Sequence, residues 1–119
     1  MRSRRVLLGA GLLACTLLMT ACPARKSIRE VLDDPGKYSH EEVTITGRVT
    51  ESYGAFNEGV YEIDDGTGSI WVYSRGRGVP RKGAAVGVKG RILTDGVTYG
   101  SRNYGTVFKE SDRRTSDKY

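Results

Sequence analysis

The clearest alternation of side-chain types in this chain lies at residues 61–73, which read YEIDDGTGSIWVY. Apolar and charged residues alternate in its first half, and aliphatic and aromatic residues alternate in its second half. This period of two is typical of β-strands with one buried face. The DDGTG between them favours a tight turn, because Asp side chains bond nearby backbone and glycine accepts positive φ. We therefore predict a hairpin in which Ile70 and Val72 face a core while Trp71 and Tyr73 face the opposite surface.

Three further stretches alternate in the same way and are predicted as strands at residues 42–53, 84–94 and 97–108. The first of these contains Gly47, where a bend would let one strand pair on both sides. The last is expected to break near Gly100 or Gly105. The connecting segments are rich in turn residues and lie at 54–59 (a loop that carries Phe56), at 75–83 (basic and glycine-rich) and at Asp95-Gly96.

A brief helix is predicted before the strands. Ser27 and Glu30 have the spacing of a capping box, in which each residue satisfies a backbone N–H of the other. The apolar face of this helix comprises Ile28, Val31 and Leu32. The helix should end at the sequence DPG (34–36), because a residue before proline disfavours the helical region. We expect the helix to cover one end of the core.

One helix and five short strands within 119 residues are too few for a sandwich and predict an all-β, closed or nearly closed five-stranded barrel. We assign residues 1–21 to a signal peptide, 22–26 to a tether, 27–110 to the barrel domain and 111–119 to a flexible tail. The tail is polar and charged, so we expect it to be frayed.

Three of the first five residues are arginines, and an uncharged apolar run follows at residues 6–21. This arrangement is typical of a secretory signal, and the run is short for a spanning helix, which needs about 20 residues. The sequence LLMTAC (17–22) resembles the lipobox of bacterial lipoproteins. The resemblance implies cleavage before Cys22, a diacylglycerol on its sulfur and an acyl group, such as palmitate, on its new amino terminus.

The same residues are compatible with different processing. Cys15 fits the short motif better at its −3 position than Cys22, which has Met19 there, but cleavage before Cys15 would leave a very short apolar region. An uncleaved amino-terminal anchor and secretion with a free thiol are also compatible with this leader. Pro23 is not the aspartate that resembles an inner-membrane retention signal. We therefore expect a lipid-anchored protein of the cell envelope, with the outer membrane, facing the periplasm, favoured over the inner membrane.

The distribution of charge changes along the chain. The net charge is +5, but removal of the three leader arginines leaves 16 basic against 14 acidic residues. This balance is a weak argument for nucleic-acid binding. Residues 27–66 carry a charge of −7 and residues 67–110 carry +6. Most such charge lies on solvated faces.

The motifs DPGKY, VTITGRV, YEIDDGTGSIWV and KGAAVGVKGRI, in this order, resemble an OB-fold of the nucleic-acid-binding, tRNA-anticodon-like type. The resemblance covers residues 27–108. It departs from the family at 75–83, where proline and glycines replace the helix that often follows the third strand. The resemblance implies that the outer side of the second and third strands is a binding face.

By the resemblance, this face would offer Trp71 and Tyr73, with Arg48 from the first strand. A rim around it would comprise Tyr53, Phe56, Arg75 and Arg77. Rings and cations suit a flat ring with an anion, a glycan or a peptide. The alternative is that Trp71 and Tyr73 pack beneath the helix or loops.

The sequence contains few residues in patterns typical of a catalytic or metal site. His40 is the one histidine, so a zinc site or a histidine relay is not expected. Asp64 and Asp65 resemble the start of a calcium loop that lacks its remaining ligands. We expect no enzyme, no cofactor and no metal. We expect a lipid-anchored envelope module that binds an envelope protein or glycan; the alternatives are a binder of single-stranded nucleic acid and a structural or stress-related interaction protein.

Overall fold

The computed structural model describes residues 24–116. The predicted leader and the predicted lipidation site, Cys22, lie outside this range. The elements are α1 (Ile28–Asp33), α2 (Pro35–Tyr38), β1 (Val43–Ala55), β2 (Glu58–Asp64), β3 (Ser69–Arg75), β4 (Ala85–Leu93), β5 (Thr98–Tyr99), β6 (Arg102–Asn103) and β7 (Val107–Ser116). Among the described helices, none has both the length and the apolar character needed to cross a membrane.

Five strands close into a barrel in the order β1-β2-β3-β7-β4, and β5 and β6 form a separate two-stranded hairpin. Barrel neighbours are antiparallel except β3 and β7, which are parallel and paired at two positions. The predicted all-β, five-stranded OB-fold-like barrel with a short amino-terminal helix is confirmed.

Strand β1 pairs on both sides, with β4 up to Arg48 and with β2 from Arg48 onward. A Cβ atom on Gly47 would lie 2.8 Å from the carbonyl oxygen of Asp64, so only glycine permits the close approach at this crossing. The bend predicted from Gly47 therefore lies where β1 changes partners.

The alternating aliphatic residues meet in one core inside the barrel. Ile45, Ile63, Val72, Val88 and Phe108 are examples of its almost completely buried side chains. The predicted alternation of the β2–β3 hairpin is confirmed, because Ile70 and Val72 are buried while Trp71 and Tyr73 are half-buried on the outer side.

Helix α1 closes one end of the barrel and is held by the β2–β3 turn. The Ile28 N–H donates to the Asp65 carboxylate at 2.9 Å, and the Arg29 N–H donates to the Thr67 hydroxyl at 3.2 Å. The predicted cap is present, since Ser27 accepts from the Glu30 N–H at 3.1 Å. Ile28 and Val31 are completely buried, whereas Leu32 is 37% exposed.

One predicted connection differs from the structure. The loop expected at 54–59 is a tight hairpin, because β1 continues to Ala55 and β2 begins at Glu58. Its two central residues are Phe56 and Asn57, both with positive φ. Sequence inspection missed this turn, since φ > 0 at both central positions usually calls for Asn or Gly. Gly59 allows the strands to approach, because a Cβ there would lie only 2.3 Å from the Tyr53 carbonyl oxygen.

The fifth barrel strand also differs from the prediction. Of residues 97–108, only Val107 and Phe108 belong to it. The rest contain the β5–β6 hairpin, whose turn includes Gly100, one of the two predicted break points. The barrel strand is β7, which continues through residues 111–116, so the expected frayed tail is wrong over that range. The physical reason is that β7 pairs with β4 from Val107 to Ser116 through backbone hydrogen bonds, which polar side chains do not prevent. Residues 117–119 lie outside the described range.

Candidate binding face

The candidate binding face is the outer side of β2 and β3 together with the carboxyl-terminal half of β1. Strand register brings side chains into rows across it. One row joins Glu62 and Trp71 on neighbouring strands, and the next joins Tyr53, Val60 and Tyr73. Because paired residues share a face of the sheet, these side chains are neighbours on the outside of the barrel.

Three rings on this face form what we call the aromatic cluster: Tyr53, Trp71 and Tyr104. Tyr53 and Trp71 are stacked with ring centroids 6.1 Å apart and an interplanar angle of 21°. Trp71 and Tyr104 are tilted by 57° with centroids 4.7 Å apart. Both distances are within the range of favourable aromatic pairs. Tyr53 is 47% exposed, so the cluster is open to solvent at one edge.

The β5–β6 hairpin folds back over the same face. The guanidinium of Arg102 lies 5.4 Å from the Trp71 ring centroid and 4.8 Å from that of Tyr104, which are cation–π distances. The Tyr99 hydroxyl donates to the Glu58 carbonyl oxygen at 3.3 Å. Val60 is completely buried although it belongs to the outer row rather than to the barrel core. The hairpin therefore builds part of the face.

Carboxylates hold the tyrosine hydroxyls of this face. The Tyr73 hydroxyl donates to Glu58 at 2.5 Å, and the Tyr53 hydroxyl donates to Glu51 at 3.3 Å. The hydrogen bond to Glu58 raises the pKa of Tyr73, and the negative charge of Glu51 raises the pKa of Tyr53. Glu62 accepts from the Thr50 hydroxyl at 2.8 Å. The rings thus stand among three carboxylates.

The structure brings some of the predicted site residues together and separates others. Tyr53 and Trp71 are in contact, and Tyr73 is half-buried in the adjacent row. Arg75 is exposed at the end of β3, opposite Glu58. Phe56 is fully exposed at the tip of the β1–β2 hairpin.

Arg77 and Arg48 are not part of this arrangement. Arg77 is exposed in the loop after β3, where its carbonyl oxygen accepts from Arg113 at 3.3 Å. Arg48 donates to the Gly83 carbonyl oxygen at 2.8 Å and lines a groove that contains no member of the aromatic cluster. Arg48 lies where β1 changes partners, paired with Ala85 on β4 and with Asp64 on β2, and both of these residues also line the groove.

Sequence reasoning missed Tyr99, Arg102 and Tyr104. Their place on the face depends on the hairpin folding back, and they were assigned instead to a barrel strand. The one available signal was the density of rings and glycines in 97–105, which is unusual for a regular strand.

A buried polar network was also missed. The Glu110 side chain is completely buried and pairs with Arg113 at 2.9 Å. It also accepts from the Tyr61 hydroxyl at 2.5 Å and the Ser74 hydroxyl at 2.9 Å. Burial, followed by the charge of Glu110, raises the pKa of Tyr61. The network joins β2, β3 and β7, and its complete satisfaction indicates a structural role.

Within residues 24–116, no group of three or more His, Cys, Asp or Glu side chains is placed to hold a metal ion. His40 is exposed in the segment between α2 and β1.

Comparison with known proteins supports the fold. No family model and no curated protein matches the chain. A crystal structure from Leishmania major Friedlin, assigned as an aspartyl-tRNA synthetase, matches 80% of the chain with a TM-score of 0.59 and 14% identity. The match covers 21% of that protein, so this chain is similar to about a fifth of it. An OBody bound to hen egg-white lysozyme matches 71% of the chain and 90% of its own, with a TM-score of 0.52 and 16% identity. At these identities the likeness shows an OB-fold and nothing finer.

Proposed function

We propose that this protein is a lipid-anchored module of the cell envelope that binds a protein partner, without catalysis, through the outer face of β2 and β3. The observation that carries the proposal is the aromatic cluster, which is open to solvent at Tyr53 and is contacted on its other side by Arg102. Tyr and Trp supply large contact areas with few rotatable bonds, and such residues dominate the energetics of protein interfaces.

The charges around the cluster favour a protein over a polyanion. Glu51, Glu58 and Glu62 lie on the same face, against Arg75 and Arg102. Carboxylates in this number repel a phosphate backbone, whose neutralisation supplies most of the affinity of nucleic-acid binders. A peptide surface with its own hydrogen-bond donors suits such a face. Glycan rings also stack on aromatic side chains, so a glycan is an outcome that the experiment below distinguishes.

The anchored location is part of the proposal and is supported by the resemblance of residues 17–22 to a lipobox. Growth with an alkyne-labelled fatty acid should label the protein, and Cys22→Ala should abolish the label. A label that persists in Cys22→Ala and disappears in Cys15→Ala would move the anchor to Cys15. No label in the native chain would remove the anchor from the proposal.

The binding face is tested by photo-crosslinking in intact cells. A photoreactive residue at Tyr53 or at Phe56 should capture a discrete protein, whereas the same residue at the exposed Arg91 on β4 should not. Trp71→Ala should abolish capture from position 56, and Trp71→Phe should retain most of it. Thermal unfolding of each variant confirms that the barrel is intact. Equal capture from positions 56 and 91, or capture that ignores Trp71→Ala, would exclude this face. A glycan ligand would leave no protein adduct and instead shift Trp71 fluorescence on titration with envelope polysaccharide.

Single-stranded nucleic acid is the second candidate, favoured by one observation: Arg102 stacks on rings that also suit bases. Base stacking on such rings contributes about 1–3 kcal/mol per base. Binding of an oligonucleotide that weakens steeply with added salt would support this candidate. Absence of binding at low salt would eliminate it.

A structural or stress-related role by strand addition has less support. Strand addition needs an exposed edge, and five of the seven described strands close into a barrel. The other two, β5 and β6, are only two residues long.

A further inference from the structure

The segment predicted as a tether is paired with the barrel. The Thr44 N–H donates to the Ala24 carbonyl oxygen at 3.0 Å, and the Lys26 N–H donates to the Thr44 carbonyl oxygen at 2.9 Å. Together they form a parallel bridge between Arg25 and Thr44, on β1. The chain therefore leaves the barrel wall at a defined point on β1.

This bridge limits how far the barrel can move from an anchored Cys22. Ala24 follows Cys22 by two positions, and two residues span at most about 7 Å. A lipid-modified Cys22 lies at the membrane surface, because its acyl chains are within the bilayer. The wall of the barrel around Thr44 must then lie close to the lipid headgroups.

The wall around Thr44 contains a groove of about 850 Å³ on the outside of β1, β4 and β7. Several of the residues that line it are small, among them Thr46 and Gly87. Five cationic side chains line it, against three acidic ones. The cationic residues are Arg25, Arg48, Lys89, Arg113 and Arg114, and the acidic ones are Asp64, Asp65 and Asp112.

Several of these charges are already engaged. Arg113 is paired with Glu110, and Lys89 lies 4.0 Å from Glu42. Asp64 and Asp65 accept hydrogen bonds within the β2–β3 turn. Arg25 and Arg114 are both exposed at the groove. Cations in this position attract the anionic lipids of a bilayer.

We propose that the paired tether docks this groove on the phosphate headgroups of the anchoring bilayer, so that the barrel has a fixed membrane-facing side. The inference rests on the proposed lipid anchor and adds the surface that the anchor presents to the membrane. The groove shares no residue with the aromatic cluster, and Tyr53 lies nine residues beyond Thr44 on β1. The binding face therefore stays accessible to a partner while the groove is docked.

The test uses the acylated chain that begins at Cys22, in vesicles of phosphatidylcholine and phosphatidylglycerol that carry a nickel-chelating headgroup as a quencher. Acylation blocks the Cys22 sulfur, so a fluorophore on Thr46→Cys reports the groove. Trp71 is the one tryptophan in the chain and reports the aromatic cluster. We expect strong quenching of the groove label and little quenching of Trp71.

Charge variants separate docking from simple proximity. Arg25→Gln with Arg114→Gln should lower the ratio of docked to undocked protein by about 25-fold, since each basic residue near an anionic surface contributes about 1 kcal/mol, or about fivefold. The matched control removes two exposed cations outside the groove, Arg91→Gln with Lys109→Gln, and should leave the quenching unchanged.

The outcomes distinguish this inference from the proposed function. A chain that carries no acyl group at Cys22 overturns the anchor and the docked geometry together. An acylated chain whose groove label and Trp71 are quenched equally, or whose quenching is insensitive to the groove charges, overturns the docking alone. In that case partner capture at the aromatic cluster remains intact as a separate result.

Discussion

The β2–β3 hairpin and the β1–β2 hairpin share a strand but turn in different ways. In the first, Asp64 and Asp65 bond the turn backbone, and Gly66 takes the positive φ of 87°. In the second, Phe56 and Asn57 take positive φ values of 55° and 64° without a glycine. Turns of this kind strain a bulky side chain.

The two hairpins therefore have different roles: the β2–β3 turn stabilises the fold, and the β1–β2 turn exposes a side chain. The β2–β3 turn also holds α1, through the Ile28 N–H. The β1–β2 turn holds the loop after β3, since the Asn57 carbonyl oxygen accepts from the N–H groups of Gly76 and Gly78. Its Phe56 side chain is fully exposed. A strained conformation that displays an apolar ring to solvent is consistent with a contact in a partner complex.

The largest expected effect is at the turn that builds the fold. Asp65→Ala removes the acceptor for the N–H groups of Ile28, Thr67 and Gly68. We expect a loss of about 2–3 kcal/mol in the free energy of unfolding, because these bonds end on a charged group. Urea denaturation measures it. Asp95→Ala, in the exposed turn after β4, is the control and should change stability by less than about 0.5 kcal/mol. Equal losses in the two variants would contradict the assigned role of Asp65.

A smaller loss is expected from the glycine of the same turn. Gly66→Ala forces a Cβ into the left-handed region and should cost about 1–2 kcal/mol in the free energy of unfolding. Gly36→Ala is the matched control, because it lies in α2 with open space around its Cβ position. That variant should be neutral or slightly stabilising. Urea denaturation of both variants measures these changes. A Gly66→Ala protein with the same free energy of unfolding as the native chain would contradict the turn geometry.

At the β1–β2 turn we expect a gain in the free energy of unfolding. Replacing Phe56 by Asn and Asn57 by Gly supplies the pair that a turn with two positive φ values prefers. The free energy of unfolding of the double variant should be about 1 kcal/mol higher than that of the native chain, because the strain is relieved. It should also reduce partner capture from a photoreactive residue at Tyr53. A double variant that is less stable than the native chain would show that Phe56 is not strained.

The smallest effect is a pH dependence. Hydrogen bonds from the Ser69 hydroxyl and the Gly66 N–H lower the pKa of Asp64 below its ordinary value of 3.8. At Asp65, burial opposes ionisation, but hydrogen bonds led by that from Ile28 outweigh it and also lower the pKa. A folded-state pKa below the unfolded one stabilises the protein fully above the unfolded value, and this stabilisation is lost as pH falls through the folded value.

The free energy of unfolding should therefore decrease on acidification from about pH 5 to about pH 3. Asp65→Asn should show a shallower decrease, whereas Asp95→Asn should follow the native curve. A native curve that is flat over this range would argue against the charged state of the turn.

Local patterns predicted the parts of this protein that depend on near neighbours in the chain. The capping box at Ser27, the alternation around Trp71 and the bend at Gly47 each follow from spacing within a few residues. The grouping of Tyr53 with Trp71 came instead from the resemblance to an OB-fold, which implied a binding face bordered by Tyr53. Reasoning from local patterns failed for β7, because the pairing of residues 111–116 with β4 is decided by long-range backbone hydrogen bonds and not by their polar side chains.

The sequence allowed prediction of the site residues that lie on strands, but not of those that lie in the connecting segments. Period-two alternation alone directs Trp71 outward, since a strand must bury its aliphatic side. Only the folded chain decides that Arg102 and Tyr104 cover that ring, that Arg48 lies in a groove outside the aromatic cluster, and that residues 24–26 pair with Thr44. Each of these results from contact between segments far apart in sequence, and local preferences contain no information about which distant surface a loop or tether will meet.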